Sequence, residues 1–279
     1  MKTQRFSCAL SCWFLLVSTS FAPAWAQGQP PGTTVRLNDI DMHYRILGSG
    51  EPLLLLHGFG SCGDDWQPIS QALAKQFQVI IPDLRGHGWS TNPAKTFTHR
   101  QSAADVLALL DHLALKRVRA MGISTGGMTL LHMATRQPDR IDAMVLIGAT
   151  SYFPPQARRI MAASSDKFPP EVREMQQKCA KRGGDQAREL SAQFTAFKDN
   201  YEDMNFTAPY LTTIKARTLI VHGDRDIFFP VSIPVEMYQA IRGSELWIVP
   251  RGEHVPIYGP RLGEFLTIAT EFLQRKESR

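Results

Sequence analysis

Cysteine is scarce, with four in 279 residues, and the four show no motif spacing. Charge of one sign is lacking too. Lys and Arg total 31 against 26 Asp and Glu, a formal charge of +5, which is too mild and too evenly spread to point to nucleic acid. No internal repeat or low-complexity tract interrupts the chain. What is present is 43% apolar and 20% charged residues with 20 Gly and 18 Pro. That composition describes a folded globular protein and excludes a disordered tail, a collagen or a coiled coil. The length suits one large α/β domain or two small ones. Such a domain buries roughly three quarters of the surface its unfolded chain exposes, so its core stands without metal or disulfides.

A long hydrophobic run is also missing. Lys2 and Arg5 precede an apolar stretch from Phe6 to Phe21 that is dotted with Ser7, Ser11, Ser18 and Ser20. A membrane span would need about 20 strongly apolar residues. The stretch ends at Ala24-Trp25-Ala26, an A-x-A-like cleavage site, so residues 1–26 read as a secretory signal peptide removed before Gln27. The expected location is secreted or periplasmic, with no membrane anchor after cleavage. Removing Lys2 and Arg5, with no acid lost, lowers the formal charge from +5 to +3. Cys8 and Cys12 leave as well. Cys62 and Cys179 then remain in an oxidising compartment. A bridge between them is open to the chain, but two cysteines without motif spacing are more often buried small hydrophobes, and that is the reading favoured here.

From Gly32 onward, short apolar runs alternate with helical segments. Thr34 to Leu37 and Met42 to Leu47, split by Asn38-Asp39, predict a leading hairpin. Continuous apolar runs follow at Leu53 to Leu56, Val79 to Pro82, Val118 to Gly122, Ala143 to Ile147, Thr218 to Val221 and Leu246 to Val249. Such runs are typical of parallel strands buried on both faces. Between them, Trp66, Ile69 and Leu73 share a helical face, as do Val106, Leu109, Leu110 and Leu113. The second of these helices is opened by the capping box Thr98-x-x-Gln101. Strict alternation with right-handed crossovers predicts one mostly parallel central sheet with helices on both faces. The alternation breaks from about residue 151 to 211, where only helical patterns occur. That stretch is expected to form a cap over the sheet's C-terminal edge, the place where open α/β sheets bind ligands.

The chemistry centres on Gly122-Ile123-Ser124-Thr125-Gly126, set between a strand and a helical run. A tight strand-to-helix turn pushes the Ser124 hydroxyl clear of the sheet and brings the Thr125 N–H near a helix N-terminus, where negative charge is favoured. A lone hydroxyl is a poor nucleophile near neutral pH, so a base and a group to orient it are required. Of the eight histidines, His254 follows the last strand and lies on a loop at the right edge. His43, His99, His112 and His132 fall within a hairpin strand or helices and read as structural, and His222 reads as a packing residue. Two carboxylates follow the preceding strand in His222-Gly223-Asp224-Arg225-Asp226. Asp226 is the favoured partner of His254, with Asp224 as fallback. His57-Gly58-Phe59-Gly60 follows the first apolar strand, and its Phe59 N–H is placed to join that of Thr125 in stabilising an oxyanion. His57, Arg85 and His87 read as loop structure.

The order Ser124, Asp226, His254, with the Phe59 loop after the third strand and the nucleophile turn after the fifth, closely resembles the α/β-hydrolase superfamily. Asp83-x-Arg85-Gly86-x-Gly88-x-Ser90 also matches that family's loop after the fourth strand, and the resemblance covers about residues 33–275. It implies an α/β-hydrolase domain over residues 27–279, with the helical cap inserted before the strand that leads to the catalytic acid. The activity implied is that of a serine hydrolase with no cofactor and no metal: acyl transfer to Ser124, then hydrolysis by a water that His254 activates. Two departures, β-branched Thr125 after the nucleophile and Glu253 before the histidine, bear on substrate more than on mechanism.

The expected activity is hydrolysis of small, fairly apolar carboxylic esters. Cap aromatics, among them Phe153, Phe168, Phe194, Phe197 and Phe206, are candidates to line an acyl pocket, although most are expected simply to pack the cap. Lactonase, lipase and perhydrolase chemistry use the same machinery. A carbon–carbon bond hydrolase is the other enzyme reading, and the export signal counts against it. A non-catalytic binding module on this fold would be expected to lose one of the three side chains, and all are present.

Overall fold

The computed structural model describes residues 32–163 and 170–275. The expected signal peptide and the candidate Phe168 lie outside the described residues. The leading hairpin is β1 (Thr33–Leu37) and β2 (Ile40–Leu47), turned by Asn38, whose φ of +51° suits a short polar side chain. Then come β3 (Glu51–Leu56), α1 (Gln67–Leu73), β4 (Phe77–Pro82), α2 (His99–His112), β5 (Val118–Ile123), α3 (Thr125–Arg136) and β6 (Ile141–Ile147). The helical insertion follows as α4 (Pro155–Met161), α5 (Pro170–Cys179), α6 (Gly184–Ala196), a 3₁₀ turn (Phe197–Asp199) and α7 (Ala208–Leu211). The chain closes with β7 (Arg217–Gly223), α8 (Ser232–Ala240), β8 (Glu245–Val249) and α9 (Leu262–Gln274).

Every expected strand is present, extended by one to three residues at one or both ends. The eight strands form one sheet in the order β1-β2-β4-β3-β5-β6-β7-β8. β2 pairs antiparallel with β1 and β4, and the remaining pairs are parallel. The apolar runs are continuous because both faces are covered. Leu54 and Leu56 join the core on the side of α2, α3 and α8, while Leu53 and Leu55 join the core on the side of α1 and α9. The same period-2 division separates Met144 and Leu146 from Val145 and Ile147. Each fully buried Leu in this sheet contributes on the order of 2 kcal/mol.

The sheet order places the site. β3 has β4 on one side and β5 on the other, so the chain reverses its direction of travel across the sheet there. At such a switch point the loops leaving neighbouring strands diverge and open a crevice. The loop after β3 and the turn after β5 therefore emerge side by side.

Two local expectations need correction. The Thr98 hydroxyl caps α2 by accepting from the Gln101 N–H at 3.1 Å, but the Gln101 side chain turns to Asp105 instead of closing the box. His99, His132 and His43 are structural, as expected, and each meets a buried carboxylate. Cys62 and Cys179 are bonded to each other, with Cα atoms 5.5 Å apart and 117 residues between them in sequence. Spacing carried no hint of the pair because the fold, not the local chain, brings it together. The bond ties the loop after β3 to the end of α5. Both cysteines are buried, as the alternative reading also required.

Candidate active site

Ser124 occupies the turn between β5 and α3 with φ +48° and ψ −113°. A non-glycine residue held there stores roughly 1–3 kcal/mol of backbone strain, which the surrounding packing must offset. The flanking glycines are required by close approach. A Cβ on Gly122 would sit 2.5 Å from the backbone of Gly126 and Gly127, and one on Gly126 would collide with the Leu56 carbonyl in β3. The Ser124 N–H donates to Ile147 O at 2.8 Å, and Ser124 O accepts from the Met128 N–H at 2.9 Å. The turn is therefore anchored on both sides and the hydroxyl is left projecting from the sheet edge.

His254 reaches it from the loop after β8. Its Nε2 lies 3.0 Å from Ser124 Oγ, and its Nδ1 lies 2.8 Å from Asp226 Oδ2. Asp226 is buried and its other oxygen accepts from the Phe228 and Phe229 N–H groups at 2.7 and 3.2 Å. Burial acts to raise the Asp226 pKa, but the His254 hydrogen bond and charge, with the Phe228 N–H, outweigh it and hold the carboxyl below its ordinary value. An ionised Asp226 places the ring proton on Nδ1 and leaves the Nε2 lone pair facing Ser124. Asp224, the fallback, is exposed, and its backbone N–H donates to Val249 O. His222 is fully buried, donates to Phe229 O at 2.9 Å and stands 3.7 Å from Asp226. It packs beneath the loop, as expected.

The loop after β3 comes up against the same point, since a Cβ on Gly58 would lie 3.8 Å from that of Ser124. Its His57 is a loop fastener: Nδ1 donates to Gly58 O at 2.8 Å and Nε2 accepts from the Leu84 N–H at 3.0 Å. Arg85 is buried between Asp105 and Asp39, and Asp83 collects the Gly63 and Trp89 N–H groups and His43. Arg85 and His57 thus hold the loops beside the site and do not line it.

A band of aromatic rings joins the two sides. Phe228 packs 4.7 Å from the His254 ring, Phe194 of α6 lies 6.4 Å from Phe228, and Phe59 lies 5.7 Å from Phe194. Phe197 and Phe97 close on Phe59 at 5.1 and 5.3 Å. The cap rings Phe194 and Phe197 pack within this band, and Phe206 packs on His132 and Tyr210. The sequence reading missed Phe228 and Phe229, although two aromatics directly after the acid on an edge loop were a usable signal.

Burial also sets a pH response. His87 donates from Nδ1 to Arg85 O, and its Nε2 is buried without a hydrogen-bond partner among the described residues. Burial pushes His87 down to about 3 and His132 down to about 4. In the unfolded chain both titrate near 6.5. Their contribution is whole above that value and is lost as pH falls toward the folded values, because the unfolded state then binds about two more protons. Urea unfolding is expected to give a stability about 4 kcal/mol lower at pH 5 than at pH 7. Equal values at the two pH values would contradict the buried neutral rings.

A strained serine on a strand-to-helix turn, an imidazole within hydrogen-bond reach and a buried carboxylate behind it define the arrangement of a serine hydrolase on a doubly wound sheet. The family model for the alpha/beta hydrolase fold matches residues 51–178, and the chain belongs to that family. Mouse serine hydrolase BPHL is 30% identical over 249 residues, covering 86% of this chain and 85% of its own. The 2-hydroxy-6-oxo-2,4-heptadienoate hydrolase of Pseudomonas putida is 27% identical over 270 residues, covering 88% and 97%. Among solved structures, the enol-lactonase of Burkholderia xenovorans superposes with a TM-score of 0.73 at 24% identity, covering 87% of this chain and all of the other. At that identity the likeness is one of fold.

Proposed function

We propose that this chain is an exported serine esterase that cleaves small, apolar carboxylic esters through Ser124, His254 and Asp226. The observation that carries the reading is the 3.0 Å approach of His254 Nε2 to Ser124 Oγ, backed by Asp226 at 2.8 Å. His254 takes the Ser124 proton as Oγ attacks the ester carbonyl, and Asp226 stabilises the imidazolium that forms. The carbonyl oxygen becomes an oxyanion held by the Phe59 and Thr125 N–H groups, neither of which donates elsewhere among the described residues. His254 then protonates the departing alcohol. Water repeats the cycle on the acyl-enzyme, releasing the acid and restoring Ser124.

The ring band favours a neutral, short acyl group. Phe59, Phe194, Phe197 and Phe97 already fill one another's space at centroid distances of 5.1 to 6.1 Å, and they offer a free carboxylate no cation. Export is supported by the leader pattern and by the Cys62–Cys179 bond, which suits an oxidising compartment.

Purified protein is expected to hydrolyse p-nitrophenyl acetate and butyrate with a kcat/KM about tenfold or more above that for the octanoate, since each extra methylene must displace packed rings. A serine-directed phosphonate is expected to label Ser124, and the exported chain to begin at Gln27. Equal rates along the series would sink the short-acyl reading. Turnover of a 2-hydroxy-6-oxo-dienoate with no ester turnover would instead make the protein a carbon–carbon bond hydrolase, the activity to which the Pseudomonas relative's name points.

A further inference from the structure

One residue along from the catalytic row, a second carboxylate, imidazole and hydroxyl stand in line. Asp203 lies in the insertion between the 3₁₀ turn and α7. Its Oδ2 accepts from His99 Nδ1 and from the His99 N–H, both at 2.7 Å, and its Oδ1 accepts from the Arg100 N–H at 3.1 Å. His132 Nε2 donates to Asp203 O at 2.7 Å and pins the backbone in place. Burial alone would raise the Asp203 pKa, but the His99 contacts outweigh it and hold the carboxyl at about 2. An anion on Oδ2 keeps the His99 proton on Nδ1, so Nε2 is an acceptor. That acceptor faces Thr125 Oγ1 at 3.5 Å. Relative exposures of 0% for His99, 1% for Thr125 and 5% for Asp203 exclude water as a competitor for these groups.

Thr125 is the residue whose N–H faces the oxyanion, and it follows the strained Ser124. Relief of that strain would rotate the 124–125 peptide and turn the N–H away. We propose that His99 and Asp203 are positioning residues for the reaction: through the Thr125 hydroxyl they hold the Thr125 peptide aimed at the point where negative charge appears. The row also accounts for the β-branched residue after the nucleophile, since its hydroxyl is the anchor. It makes catalysis depend on the seating of the cap, because Asp203 belongs to the insertion while Thr125 and His99 belong to the sheet's own helices. The proposal rests on the serine-hydrolase reading above.

Losing an oxyanion donor outright costs about a hundredfold or more, and a misaimed donor is expected to cost about tenfold. Thr125→Val keeps size and N–H but loses the anchor, whereas Thr125→Ser keeps it. On p-nitrophenyl acetate, Thr125→Val and Asp203→Asn are each expected to lower kcat about tenfold with KM within twofold, and Thr125→Ser to restore most of the kcat that Thr125→Val loses. The double variant Thr125→Val/Asp203→Asn is expected to fall no further than either single one, because both cut the same chain of contacts. A Thr125→Val protein with unchanged kcat and a lower melting temperature would reduce the row to a structural pin and overturn the proposal. So would losses that multiply to a hundredfold in the double variant. If Asp203→Asn does not fold, the Val and Ser pair decides alone. A parent protein without ester turnover fails the earlier reading instead, and that result is visible before any variant is compared.

Discussion

Replacing Ser124 with alanine is expected to lower kcat on p-nitrophenyl butyrate by about 10⁵-fold while leaving the melting temperature within a few degrees. The substitution removes one oxygen, the atom that forms the acyl bond in the proposed mechanism. His254→Ala is expected to cost about as much, since without the imbidazole's Nε2 at 3.0 Å the hydroxyl keeps its proton. The two losses do not add, because the groups work as one unit and what survives is the oxyanion pocket and binding. Asp226→Asn probes the third member. It leaves the shape unchanged but offers an amide where Nδ1–H needs an anion, so the wrong tautomer is favoured and a loss of about 10⁴-fold is expected. Asp224→Asn, two residues away and exposed, is expected to stay within twofold. Steady-state kinetics on the four proteins check all of this. A Ser124→Ala protein with parental turnover would remove the mechanism, and a swap of the two aspartate results would move the acid to Asp224.

What the sequence disclosed and what it withheld divide along physical lines. The strands were legible because period-2 burial on both faces leaves unbroken apolar runs such as Leu53 to Leu56. The nucleophile turn was legible because close packing forces glycine at both Gly122 and Gly126, whose neighbours are local or in an adjacent strand. Asp226 was favoured over Asp224 because it falls on the loop beyond the strand, whereas Asp224 sits in the turn beside Arg225. By contrast, the His99–Asp203 contact spans 104 residues and the cysteine bond spans 117. Nothing in either neighbourhood encodes its partner, since both contacts depend on how the insertion lies over the sheet. His99 accordingly read as one more helix histidine. The capping box at Thr98 shows the converse: a local motif was half overridden when Asp105, held by Arg85, captured the Gln101 side chain.

The cysteine bond carries the other large expected effect. In the unfolded chain it closes a loop of 117 residues, and the loss of loop entropy amounts to about 5 kcal/mol in the chain model. Native bonds of this kind typically contribute about 2–5 kcal/mol. Reducing the protein, or replacing both cysteines with alanine, is therefore expected to lower the melting temperature by roughly 10 °C for a domain of this size. The two treatments differ usefully. Reduction leaves two buried thiols that still fill their space as small hydrophobes, so its effect isolates the cross-link, while the alanine variant adds the loss of packed sulfur. Because Cys62 ends the loop that bears Phe59 and Cys179 ends α5, whose Gln176 packs on Gly60, reduction is also expected to loosen the contact between cap and oxyanion loop. Calorimetry with and without a reductant checks the stability, and activity well below the transition checks the loop. A melting temperature that moves by less than about 2 °C on full reduction, verified by thiol titration, would show that the folded contacts alone hold the cap and that the bond constrains a denatured state already compact.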